Sequence, residues 1–340
     1  MSNTKWAVLL GVILTAGALM ASATEAGGVF LTIFPGAKAT AIGAAFSAVA
    51  DDATASYYNP GAMAYFNKTE FSLIHAPWLR ALASDMYYEF AGFVKPIGKA
   101  GVLGGHVIYL TLGEMVAVKE GGEVVGRFRP YDVAVDVAYS TKLRENLGLG
   151  VGAKLIHSFL APGNIIREVL GEPGGGGSAT TFALDGGVLY KPFKCLNLSA
   201  VLANMGPGLK YTESGNTDPL PWLLRLGFAI RPIENKYHRI TISGDANKVL
   251  VGFISDLKDL GLSYVLKEAW LHGGIEYTYY DLISLRVGYF YDRYGLRKGI
   301  TFGGGVKFKN FKLDIADDSK IYDFEESSNR RFSISYIMNQ

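Results

Sequence analysis

From about Thr69 onward, apolar and polar positions alternate in segments about ten residues long. After Tyr280, Ile283, Leu285, Val287, Tyr289 and Tyr291 share one face, and Ser284, Arg286, Gly288 and Asp292 share the other. Ile300, Phe302, Val306 and Phe308 oppose Thr301, Gly303, Gly305 and Lys307, while Phe311, Leu313 and Ile315 oppose Lys312 and Asp314. Tyr131, Val133, Val135, Val137 and Tyr139 oppose Asp132, Ala134, Asp136 and Ala138. Successive side chains of a strand point to opposite faces, so this pattern describes strands with a different solvent on each side. Strands are expected at 69–78, 86–96, 100–113, 131–141, 146–158, 180–191, 194–205, 221–232, 237–247, 269–280, 282–292, 298–308, 310–318 and 330–338.

A soluble β-sandwich would also alternate, but three features favour a membrane barrel. The second face mixes Gly, Ala and Ser with single charges, as a partly filled lumen would. Aromatic residues stand at strand ends, as Tyr131 and Tyr139 do, in the manner of interfacial girdles. The connections also alternate in length. Leu79–Asp85, Glu114–Pro130, Phe159–Ala179, Met205–Leu220, Lys248–Glu268 and Ser319–Asn329 are long, with Arg293–Arg297 the one short member of that set; Ile97–Lys99, Lys142–Glu145, Pro192–Phe193, Ile233–Lys236, Asp281 and Lys309–Asn310 are tight. Long loops outside and short turns in the periplasm are the habit of bacterial barrels. Closure also removes the sheet edges, whose unpaired backbone groups hydrocarbon does not tolerate. The expected fold class is therefore all-β: a transmembrane, antiparallel, up-and-down β-barrel of about fourteen strands over 69–340.

The chain before Thr69 reads differently. Lys5, the apolar run Trp6–Met20 and the small residues Ala21-Ser22-Ala23 have the layout of a secretory signal over 1–23. Cleavage is expected after Ala23, with Ala26 as the other candidate. Residues 24–68 form the second expected unit. Pro35–Phe66 is rich in small residues and lacks sustained alternation, which suits a plug packed inside the lumen; a lead-in outside the barrel is the alternative. A short helix is expected over Ala39–Val49, ended by Asp51-Asp52, with a turn at Asn59-Pro60-Gly61.

Composition narrows the function. Only 19% of residues are charged, and there are 42 Gly, 20 Tyr and 19 Phe. One cysteine, Cys195, excludes an intramolecular disulfide framework, and a net charge of +2 gives no reason to expect nucleic acid. No catalytic motif stands out, so no enzyme, cofactor or metal is expected. Gly174–Gly177 lacks the Lys-Ser/Thr of a phosphate cradle and reads as loop. His75, His106, His157, His238 and His272 have no metal-ligand spacing.

Three blocks resemble the PorV/PorQ family, relatives of the FadL-type barrels. GAKATAIGAAFSAVADDATASYYNPGAMA is similar to the family's N-terminal signature through Gly36, Gly43, Asp51, Asp52, Tyr58, Asn59 and Pro60. VLANMGPGLKYTESGNTDPLPWLLRLGFAI is similar through Asn204, Gly206, Tyr211, Leu220, Pro221, Leu224, Arg225, Leu226 and Gly227. The third runs from LHGGIEYTYYDLISLRVGYFYD to GITFGGGVKFKNFKLDIA. It matches through Gly274, Glu276, Tyr277, Leu285, Arg286, Gly288, Tyr289, Thr301, Phe302, Gly303 and Gly305. One departure is at the end: barrels commonly finish on an aromatic, whereas Ile337-Met338-Asn339-Gln340 follows Tyr336 here.

The resemblance implies an outer-membrane barrel of type IX secretion that binds exported cargo at its extracellular face and meets other secretion components. The alternative is a FadL-like transporter of hydrophobic small molecules, with the N-terminal segment as a hatch. The candidate plug residues are Gly36, Gly43, Asp51, Asp52, Tyr58, Asn59 and Pro60. Alternation puts Asp185, Arg225, Glu276 and Arg286 on the lumen face, because a charge at mid-bilayer facing lipid costs about 2–4 kcal/mol. Phe253, Leu257, Leu260, Tyr264 and Leu266 recur near helical spacing and predict an amphipathic helix outside the mouth, which either offers an apolar surface to a partner or only caps its own barrel.

Overall fold

The computed structural model describes residues 26–79, 83–119, 122–170, 176–213, 215–293, 295, 297–318 and 330–338. The expected signal 1–23, the whole of the loop 319–329 and the end Asn339-Gln340 lie outside the described residues. In chain order the strands are β1 (Thr69–Pro77), β2 (Tyr87–Pro96), β3 (Val102–Thr111), β4 (Met115–Val118), β5 (Val124–Phe128), β6 (Tyr131–Arg144), β7 (Leu147–Phe159) and β8 (Ser178–Phe193). They continue as β9 (Leu196–Met205), β10 (Leu223–Glu234), β11 (His238–Val249), β12 (Trp270–Tyr279), β13 (Ile283–Asp292), β14 (Arg297–Phe308), β15 (Phe311–Asp317) and β16 (Arg330–Met338).

All but β4 and β5 form one closed antiparallel barrel, in which each strand pairs with its sequence neighbours and β3 pairs with β6. Closure comes from β1 against β16, in register from Thr69↔Met338 to His75↔Phe332. The tight turns lie at one end of the barrel. At β12–β13, Tyr280 and Asp281 both have positive φ (56° and 53°), the backbone a hairpin turn with the twist of its strands requires.

Two long connections carry structure that alternation did not reveal. Glu114–Pro130 contains the hairpin β4–β5, and Phe159–Ala179 contains a helix, Gly163–Leu170, begun by Pro162, whose carbonyl accepts from Ile165 N and Ile166 N at 3.0 and 3.1 Å. Proline is pre-organised for a helix start. Lys119 reaches across to Glu168 (2.5 Å), and the hydrogen bond it donates to that carboxylate holds the ammonium above its ordinary pKa.

The outer face is apolar across its breadth. Val137, Val151 and Leu285 are each 61% exposed, and Leu73, Phe182, Leu313 and Val306 are exposed beside them. In water so continuous a patch would drive association; in hydrocarbon it is solvated. Aromatic rings bound the band. At the long-loop end, His75, Tyr87, Tyr109, Tyr131 and His157 step across β1–β2–β3–β6–β7 with centroids 6.0–6.3 Å apart. At the turn end stand Tyr237–Tyr280 (5.2 Å), His238–Tyr279 (5.7 Å) and Phe311–Tyr336 (5.0 Å). From Tyr131 to Tyr139 is about 26 Å of strand at ~3.3 Å per residue. A tilt of about 40° reduces that to about 20 Å, near the apolar band of such barrels.

Candidate functional site in the lumen and at the long-loop mouth

Inward positions of the strands face the N-terminal segment. The segment begins with a turn at Val29–Thr32 and a helix, Ala37–Ala41, then passes Ala55–Tyr58 and a 3-10 helix, Pro60–Tyr65. The helix expected over 39–49 is thus shorter and earlier. Positive φ at Gly43 (67°) and Ala44 (63°) ends it, letting the chain turn along the wall. Asn59 caps the 3-10 helix by accepting from Gly61 N at 2.9 Å, and Pro60 occupies its first position.

Side chains of the wall satisfy the segment's backbone. Ser333 Oγ accepts from Ala37 N (2.8 Å), and Thr301 Oγ1 accepts from Gly43 N (2.9 Å). Asp245 Oδ2 accepts from Phe46 N and Ser47 N at 3.2 and 2.9 Å. His272 donates from Nδ1 to Gly43 O (2.7 Å) while its Nε2 accepts from Asn247 (2.9 Å). Asn197 donates to Ala48 O (2.9 Å), and Asn59 donates to Val188 O on β8 (3.0 Å). An irregular backbone in so dry a place needs such partners, because each unsatisfied buried group costs about 1–3 kcal/mol.

Glycines let backbone meet backbone. A Cβ on Gly288 would stand 2.1 Å from Gly43 N, and one on Gly274 would stand 2.4 Å from Ile42 O. On the other side a Cβ on Gly150 would meet Pro60 at 2.3 Å, and one on Gly148 would meet Gly61 O at 2.5 Å.

The charged lumen residues fall into separate groups. Arg286 bridges Glu276 (Nε–Oε2 2.5 Å) and Asp314 (Nη1–Oδ1 2.5 Å). Lys38 of the segment approaches Glu276 at 3.6 Å and binds Asp51 at 2.7 Å. Asp185 belongs to a second group: it receives Lys154 (3.0 Å) and Asn204 N (2.7 Å). Arg225, 1% exposed, donates to Tyr57 O (2.7 Å) and lies over the Tyr57 and Tyr58 rings at 4.6 and 5.7 Å. Carbonyl and ring faces take the place of a carboxylate. Arg331 joins the segment at Phe34 O and binds Asp318 at 2.8 Å.

At the mouth, the connection after β11 forms two helices, Phe253–Asp259 and Leu262–Lys267, rather than the single one expected. Gly261, with φ 81°, separates them. Leu257, Leu260, Leu262 and Leu266 are exposed, while Phe253 and Tyr264 are half-buried.

The family model described as Type IX secretion system protein PorV matches the chain over residues 20–255. The chain belongs to the PorV family. The match takes in the N-terminal segment and the strands up to β11; the third similarity block, from Leu271, lies beyond it. No curated protein matches the chain in sequence. Among solved structures, the toluene transporter TbuX of Ralstonia pickettii is similar with a TM-score of 0.53 at 14% identity, covering 89% of this chain and 98% of that one. The Pseudomonas putida toluene transporter TodX aligns with a TM-score of 0.52 at 13% identity over 85% of this chain and 94% of that one. At such identity these likenesses speak for the fold alone: this PorV-family chain shares a closed β-barrel fold with those two transporters.

In this PorV-family barrel, Gly36, Gly43, Asp51, Asp52, Tyr58, Asn59 and Pro60 all stand in the segment enclosed by the wall. Tyr58 donates to Pro35 O (2.8 Å), and Asp52 accepts from Thr54 N (2.9 Å). Of the four charged candidates, only Glu276 and Arg286 meet. Asp245, Asn197 and Ser199 also face the segment from the inner wall, as does Thr301, which the alternation had set opposite the apolar face; a single sequence carries no signal for which of them would face Gly43 or Ser47. Among the described residues no group of three or more His, Cys, Asp or Glu is arranged to hold a metal ion.

Proposed function

We propose that this PorV-family barrel is a docking component of type IX secretion. In this reading the signal over 1–23 is removed, and the long loops face the outside. Residues 24–68 act as a plug, and exported proteins are held on the extracellular face without entering the lumen. The observation that carries the reading is the exposure of Leu257, Leu260, Leu262 and Leu266 in the connection between β11 and β12, at the long-loop end of the barrel. Apolar area left in water marks a surface that a protein partner covers. The enclosed segment supports it, because its residues are hydrogen-bonded to β16, β14, β11, β9 and β8 around the lumen rather than to one side of it.

A second reading, transport of hydrophobic small molecules, draws on the fold shared with proteins described as toluene transporters. It requires the segment to leave the wall. The experiment that separates the two is isolation from native outer membranes in mild detergent, followed by identification of everything that co-purifies. Recovery of secreted proteins with a common C-terminal domain, or of a very large barrel, supports docking. Recovery of the barrel alone with an aromatic or fatty molecule inside overturns docking in favour of transport.

A further inference from the structure

We propose that the turn-end mouth of the lumen contains an oxyanion-binding site, built by Lys191 and Arg231 with Lys142 beside them, for a phosphate or carboxylate carried on a small organic body. A cavity of about 290 Å³ opens there, lined by Lys191, Arg231, Asn197, Tyr65, Phe66 and Leu189 among others. Its wall comes from three adjacent strands: Lys191 lies on β8, Asn197 on β9 and Arg231 on β10. The end of the enclosed segment supplies Tyr65 and Phe66.

The charges in this cavity are unbalanced. Lys191 Nζ stands 3.5 Å from the centroid of the Tyr65 ring, and Lys142 Nζ stands 5.3 Å from the same centroid. Two acids also line the cavity, but both are held by other cations: Asp51 by Lys38 at 2.7 Å and Glu70 by Lys312 at 3.2 Å. The carboxylate that reaches Lys142 is Glu145 at 3.5 Å, a side chain 96% exposed. Among the described residues neither Lys191 nor Arg231 is in an ion pair. A ring face offsets part of one ammonium's charge, but it does not relieve repulsion between neighbouring cations.

An anion would relieve it. A planar guanidinium beside a point-charge ammonium suits the two oxygens of a carboxylate or phosphate, through charge-assisted hydrogen bonds. Asn67 and Lys68 also line the cavity, but Phe66, Leu189 and Ile337 give it an apolar side that suits a short hydrocarbon or ring next to the oxyanion. Alternation places Lys191 and Arg231 inward, so the site faces the lumen mouth rather than the surrounding lipid.

The test uses the full chain in zwitterionic detergent, titrated calorimetrically with phenyl phosphate and with inorganic phosphate. Saturable binding of phenyl phosphate is expected, weakened tenfold or more in Arg231→Gln and in Lys191→Gln. Arg231→Lys should fall between, since it keeps the charge and loses the fork. Lys194→Gln, an exposed charge on the neighbouring turn, should leave the affinity as it is. Heat-dependent gel mobility verifies that each variant is folded, and loss of affinity in rising sodium chloride tests the wild type without any substitution. Equal binding of inorganic phosphate supports the oxyanion site and removes the role given to the apolar lining. No saturable binding of either anion, or equal affinity in wild type and Arg231→Gln, overturns the proposal.

Discussion

Individual residues determine how the N-terminal segment is seated, and glycine is the clearest case. Gly43 combines a φ of 67° with a would-be Cβ 2.6 Å from Tyr289 O and 2.8 Å from Gly273 O, so alanine there is both strained and overlapping. Gly43→Ala should lower the unfolding free energy in urea by at least about 2 kcal/mol. An unchanged midpoint would mean that the segment does not lie against β12 and β13. Arg286 makes the second case. Removing its charge leaves Asp314 without its arginine and Glu276 with only Lys38 at 3.6 Å. Arg286→Met should destabilise by roughly 3–5 kcal/mol, as breaking a buried pair does. Adding Asp314→Asn should recover part of that loss; no recovery would show that the cost arises from packing instead.

Elements at the long-loop mouth were the hardest to foresee. The hairpin β4–β5 and the helix Gly163–Leu170 lie outside the membrane band, where no second solvent enforces alternation and period-two reading loses its basis. The helix pair Phe253–Asp259 and Leu262–Lys267 shows the opposite error. Its leucines have helical spacing, but glycine at 261 adopts φ 81° and turns the expected rod into two short pieces. Their exposed side chains lend themselves to a clean separation of docking from folding. Leu260→Asp with Leu266→Asp should keep barrel stability within about 0.5 kcal/mol of the parent, as exposed positions usually do. The same pair should reduce the proteins that co-purify from native membranes by severalfold. Undiminished recovery would place the docking surface elsewhere on the loops.

For the molecule as a whole, the orientation assigned to the barrel makes Cys195 a natural reporter. It is free and exposed, and it lies in the turn between β8 and β9 at the end opposite the long loops. In intact cells an impermeant maleimide should leave it unlabelled, and in broken outer membranes the same reagent should modify it fully. A cysteine introduced at Val124, exposed on β5, should react in both. Labelling of Cys195 in intact cells would invert the barrel and move the proposed oxyanion site to the outer surface.

How much of this was legible in the sequence differs with the physics at each place. Alternation located all the barrel strands, because hydrocarbon on one side and a lumen on the other constrain every second residue. It also placed Arg225, Glu276, Arg286 and Asp185 inward, since a charge on the lipid side is costly. Which inward residues meet was decided only by closure. Pairing β1 with β16 sets the register of Ser333 and Arg331, and through them the seat of Ala37 and Phe34. Asp314 joins Arg286 from two strands away, and Lys38 joins Glu276 from the enclosed segment. Such contacts depend on strand stagger and on the path of a backbone with no period of its own. The sequence by itself therefore determined the strands and their faces, while the tertiary structure decided the partners across the lumen, because partner choice depends on register and closure.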